Sequence, residues 1–190
     1  PAAVAVIVLA GSHLRAETPT PFSNLGLSGS SSGGHLALSA AINPTSPEQT
    51  IDFVIALWPV SNPLARYQYL VSRLHEDPST FKRFTPDRLK AGHEGYLGEP
   101  AQMAAAAIQN QLTAGHYRDL PPLLLVQPEL DQNVPIMMSQ TLQGAWEIAG
   151  GDVDYRLYPD VGHGFAQADG PQTQTCIADM ISFIQRHTAS

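Results

Sequence analysis

The sequence holds a single cysteine, Cys176. No internal disulfide can form, which fits a reducing compartment without requiring one. Cys176 lies in an apolar helical run with no base at a telling spacing, so it reads as a core residue rather than a nucleophile. Long apolar runs are missing too. The longest, AAVAVIVLA at 2–10, falls far short of the roughly 20 residues that a membrane-spanning helix needs. No basic stretch precedes it in these 190 residues, so it is expected to be a strand and not a signal peptide. With no address signal, the cytoplasm is the default expectation. Basic residues are scarce: 10 Lys and Arg stand against 17 Asp and Glu, a net charge of −7. That balance argues against nucleic acid or an anionic membrane as a partner. It leaves a small molecule as the expected partner and is compatible with an oligomer.

What is present is a core-forming composition, 43% hydrophobic and 14% charged, in a chain of 190 residues that suits one domain. The chain begins at Pro1 without a Met, so a processed or truncated start is expected. Strand texture recurs at 3–10, 24–29, 51–60, 122–127 and 153–159. Helical texture falls at 33–43, 101–112, 135–150 and 173–187, the last with apolar residues at 177, 180, 181 and 184. Gly150-Gly151 supplies a C-terminal stop. The strands read as buried and non-alternating. This predicts an α/β fold, a mostly parallel, doubly wound sheet with helices on both faces. Residues 61–118 differ: they hold most of the basic residues and scattered prolines, and read as a cap-like insertion between core segments 1–60 and 119–190.

In such a sheet, ligands bind beyond the carboxyl ends of the strands. The segment GLSGSSSGGHLALSA at 26–40 lies at one of those ends. Gly29-Ser30-Ser31-Ser32-Gly33 fits G-x-S-x-G, with a strand before it and a helix after it, the context of a nucleophile elbow. The turn is tight, and Cβ atoms at 29 and 33 are expected to collide with neighbouring backbone. Ser31 is then the nucleophile, and the amide of Ser32 is an oxyanion donor. The plainer reading is a Ser/Gly loop that caps a helix.

A serine hydroxyl needs a base, and the base needs an orienting acid. PELDQNVP places Asp131 after one strand, and DVGHGF places His163 after the next. The order Ser31, Asp131, His163 is the one this elbow type uses. Asp131 could instead be a simple turn former. Asp160 is the best alternative acid, and Glu129 a weaker one. His13 also follows a strand and could line the rim; His35 reads as packed behind the elbow; His75, His93 and His116 fall in the insertion. No set of His and carboxylates has a ligand spacing that supports a metal, and no cofactor is expected.

LGLSGSSSGGHLAL, PPLLLVQPELDQNVP and YPDVGHGF resemble the three signature regions of the α/β-hydrolases, most closely the esterase and lipase-like carboxylesterase branch. The resemblance covers the chain from about residue 24 onward, with a weaker match at 3–17. It implies ester hydrolysis through an acyl-serine, with amidase or peptidase chemistry or a non-catalytic binding role as alternatives on the same scaffold. It also implies a cap at 61–118, with Trp58 and Phe165 as walls of an acyl pocket. Two departures stand out. The His-Gly-Gly-type oxyanion loop that family members place well before the serine has no counterpart here. Only a short stretch, GSHLRAETPTPF, separates the first strand from the elbow region, so segments before residue 1 and near Phe22-Ser23 are expected to be missing.

Overall fold

The computed structural model describes residues 24–44, 50–81, 85–115, 117 and 119–188. The strand expected at 3–10, His13, His116 and the junction at Phe22-Ser23 lie outside these residues. Four parallel strands form one sheet in the order β1 (Gly26–Ser30), β2 (Phe53–Leu57), β3 (Leu123–Pro128), β4 (Val153–Tyr158). Helices α1 (Ser32–Ile42), α2 (Pro63–Ser72), α3 (Pro86–Leu97), α4 (Pro100–Ala105), α5 (Ile108–Ala114), α6 (Ile136–Ile148) and α7 (Pro171–Thr188) complete the described architecture.

The apolar strands feed two cores. Val54, Ala56, Leu123 and Leu125 join Leu38, Ile108, Leu112, Leu142 and Trp146 on one face. Phe53, Ile55, Leu124 and Val126 join Cys176 and Phe183 on the other. Neighbours along β2 and β3 thus alternate faces, and both faces are covered there, so these two strands show no polar alternation. β4 is a correction: Asp154 and Arg156 alternate with Val153, Tyr155 and Leu157, and the strand is only partly buried.

One helix expectation is corrected. The Ala-rich stretch 101–112 is two short helices, not one. Ala107 is extended (φ −65°, ψ 121°), and the amide of Ile108 donates to the Ser61 carbonyl at 2.9 Å. Burial of Ala107 and Ile108 outweighs the alanine helix propensity. The α4 carbonyls of Ala104 and Ala105 accept from the side-chain amides of Asn110 and Gln111. Helices α2 and α3 lie in the insertion, each opened by a proline. Helix α7 buries Cys176, as the sequence suggests, together with Phe183, while Ile177, Ile181 and Ile184 are 51%, 50% and 36% exposed.

Candidate active site

β1 runs directly into the elbow. Its ladder with β2 extends one residue past the strand, where the Ser31 amide donates to the Leu57 carbonyl at 2.9 Å. The Ser31 carbonyl then accepts from the amides of His35 (3.2 Å) and Val60 (3.1 Å). Between these anchors the chain reverses at Ser31, with φ 54° and ψ −119°. A non-glycine residue at positive φ costs of order 1–3 kcal/mol and persists only where its surroundings enforce it. The tightness falls on Gly29, where a Cβ would drive into the Gly33 carbonyl and lie 2.8 Å from the Gly34 amide nitrogen. Gly34 is the second tight position, with a Cβ 2.9 Å from that of Pro59. Gly33 is a correction: a Cβ there meets nothing within 4 Å. The elbow needs glycine at 29 and 34, and the last glycine of the motif is not sterically required.

The Ser31 hydroxyl lies 3.1 Å from Nε2 of His163, and Nδ1 of His163 lies 2.8 Å from Oδ2 of Asp131. The other carboxylate oxygen accepts from the amides of Asn133 and Val134, both at 2.8 Å. The Asp131 side chain is fully buried, and that of His163 is 15% exposed. With Asp131 accepting from every partner, His163 carries its proton on Nδ1 and leaves Nε2 to accept from Ser31. The two loops are held together beyond the ladder's end: the Glu129 amide donates to the Tyr158 carbonyl (2.8 Å), and the Leu130 amide to Val161 (2.9 Å). The Glu129 carboxylate accepts from the Asp160 amide at 3.2 Å, and the carboxylate on His163 Nδ1 is that of Asp131.

Ser32 opens α1, where the first amides have no acceptor within the helix. It lines a cavity of about 530 Å³ together with Ser31 and His163. Trp58 and Phe165 do not line this cavity. Trp58 is 2% exposed, with its indole 6.1 Å from the His163 ring and 5.2 Å from Phe165. Trp58 lies against the imidazole, and Phe165 packs between Trp58 and Tyr158. His35 is buried behind the elbow, its Nε2 donating to the Ala106 carbonyl at 2.8 Å, and burial lowers its pKa.

The cavity's other walls come from α2 and α3, and sequence reasoning missed their key group. Arg66 is 6% exposed. Its Nε donates to the Asn133 carbonyl (3.2 Å), its Nη2 to Asn133 Oδ1, and its Nη1 to Nδ1 of His93 (3.0 Å). His93 in turn donates from Nε2 to the Pro63 carbonyl at 2.7 Å. Burial, reinforced by the Arg66 charge, lowers the His93 pKa to about 4, so the ring is a neutral acceptor. Burial lowers the Arg66 pKa to about 10, opposed by the field of Asp131, and the guanidinium stays charged at neutral pH. A lone arginine in an insertion carries no sequence signal for this.

Comparison with known proteins decides the family. The family model described as the alpha/beta hydrolase fold matches residues 1–167. The chain belongs to the α/β-hydrolase-fold family. Among solved structures, it is similar to an esterase of the bacterial hormone-sensitive lipase family (TM-score 0.74, 23% identity, 98% of this chain, 60% of that one). It is also similar to esterase B of Lactobacillus rhamnosis (0.71, 18%, 97% and 60%) and to the acylaminoacyl peptidase of Pyrococcus horikoshii (0.68, 14%, 93% and 26%). The chain therefore spans about 60% of the two esterases and about 26% of the peptidase. No curated protein sequence gives a significant match. Among the described residues, no helix of this α/β-hydrolase chain is long and apolar enough to cross a membrane.

Proposed function

We propose that this chain is a serine hydrolase that cleaves carboxylic esters of short or medium acyl length through an acyl-serine intermediate. The observation that carries the reading is the relay Ser31–His163–Asp131, with contacts of 3.1 and 2.8 Å, on a strained elbow facing a cavity. In this mechanism Ser31 Oγ attacks the ester carbonyl and passes its proton to His163 Nε2. The Ser32 amide donates to the developing oxyanion. His163 returns the proton to the departing alcohol, and Asp131 stabilises the imidazolium without taking its proton. Water activated by the same His163 then releases the acid. Helices α2–α4 of the insertion act as the cap, and Trp58, backed by Phe165, holds the imidazole.

Amide cleavage is the second reading, favoured by the similarity to a peptidase and by a relay that both chemistries share. A series of 4-nitrophenyl esters beside matching 4-nitroanilides separates the two. The proposal expects ester turnover that rises to an optimum at short or medium chains and disappears in Ser31→Ala. Turnover of anilides at rates comparable with esters would replace it with the amidase reading. Ester turnover undiminished in Ser31→Ala would refute the relay.

A further inference from the structure

The cavity beside Ser31 has a charge pattern opposite to that of the whole chain. The chain carries −7, yet no Asp or Glu is among the described residues lining this cavity, while Arg66 and Arg88 both are. Arg66 is the decisive one. Its acceptors are the Asn133 carbonyl, the Asn133 side-chain oxygen and the neutral imidazole of His93. None is an anion. Asp131 acts on Arg66 only through its field, because its own oxygens are committed to His163 and to the amides of Asn133 and Val134. A guanidinium has five N–H donors, and three are used here, so two remain. A buried cation with only neutral partners is costly, and an anion supplied from the cavity offsets that cost. Arginine's planar fork suits a carboxylate in particular.

We propose that Arg66, on the wall of the cavity beside Ser31, binds a carboxylate carried by the substrate, so that the site favours esters bearing a free acid group over neutral esters. This rests on the reading of Ser31 as an ester-cleaving nucleophile. The chemical class is the half-ester of a dicarboxylic acid, with the ester at Ser31 and the free carboxylate at Arg66. The cavity, about 530 Å³, lies within the roughly 300–1,000 Å³ typical of small-molecule sites. His93 and Asn133 act as positioning residues, fixing the guanidinium plane.

Two measurements on the 190-residue chain test this. The first is binding without turnover: the thermal midpoint is followed with adipate and with adipamide at matched ionic strength. Adipate is expected to raise the midpoint, adipamide to leave it unchanged, and Arg66→Met to abolish the difference. Arg66→Lys keeps the charge but loses the fork, and is expected to retain a weaker adipate response. The second is kcat/KM for the 4-nitrophenyl half-ester of adipic acid against the same compound with its acid methylated. Wild type is expected to favour the free acid by about tenfold or more, and Arg66→Met to bring the ratio to one or below. The ratio is the readout because a general loss from a displaced Asp131 loop lowers both esters alike. Equal midpoints with adipate and adipamide on folded wild-type protein, or equal turnover of the two esters, would overturn the proposal. Turnover of the neutral ester without any adipate response removes the carboxylate site and leaves the hydrolase. An adipate response lost in Arg66→Met, with no ester turned over, does the reverse.

Discussion

Ser31 holds a backbone conformation that a glycine adopts more easily, and it does so at the one position where the side chain is needed. Replacing it therefore separates stability from activity. Ser31→Gly is expected to abolish ester turnover yet raise unfolding stability by about 1 kcal/mol, the strain relieved less the extra entropy of glycine. Chemical denaturation of the two proteins checks this. The glycines around it make opposite predictions. Gly29→Ala puts a methyl group into the Gly33 carbonyl and is expected to cost at least about 3 kcal/mol or prevent folding, since rigid backbone must move. Gly33→Ala points into open space within a helix and is expected to gain up to about 1 kcal/mol. Paired denaturant curves for the two variants decide which glycine the elbow requires. Asp131→Asn keeps the size but offers His163 the wrong partner, and kcat is expected to fall by about 10⁴.

At the scale of elements, the sheet and the loops at its carboxyl end were legible because the strands are short and bounded by turn residues, with β2 and β3 apolar almost throughout. The same rule that places ligands at that end picked Asp131 and His163 out of several carboxylates and histidines. The cap was less legible, and the reason is proline. Pro63, Pro86 and Pro100 look like breakers in the sequence, but each is the first residue of a helix, where its missing N–H costs nothing. Asn62 before Pro63 accepts from the Ala65 amide as an N-cap, a signal that was readable. The break at Ala107 was not readable, because it depends on the distant Ser61 carbonyl. The stop after α6 was legible in full. Gly150 takes φ 93°, its amide bonds to the Glu147 carbonyl, and the Gly151 amide bonds to that of Trp146. Gly150→Ala is expected to lower stability by about 1 kcal/mol through the left-handed conformation alone, which a shift in the thermal midpoint reads.

For the whole molecule, two buried histidines link the cap to pH. His35 donates to Ala106, and His93 donates to Pro63 while accepting from Arg66. Both have folded pKa values below the ordinary 6.5, chiefly through burial, with His93 at about 4. The unfolded chain therefore takes up protons first as pH falls. Stability is full above about pH 6.5 and is lost progressively toward pH 4. Denaturation midpoints taken from pH 7.5 to 4.5 are expected to decline, and His93→Gln, which keeps an acceptor for Arg66, to flatten the decline. A midpoint that rises over this interval would mean that the histidines gain protons on folding.

The central claim is that Ser31 is an activated nucleophile, with His163 as its base. Labelling the folded protein with a fluorophosphonate, followed by peptide mass mapping, tests this without any knowledge of the substrate. The account predicts one adduct, on Ser31, that is lost in His163→Ala. An unlabelled folded protein, or an adduct on another serine that survives His163→Ala, would contradict it.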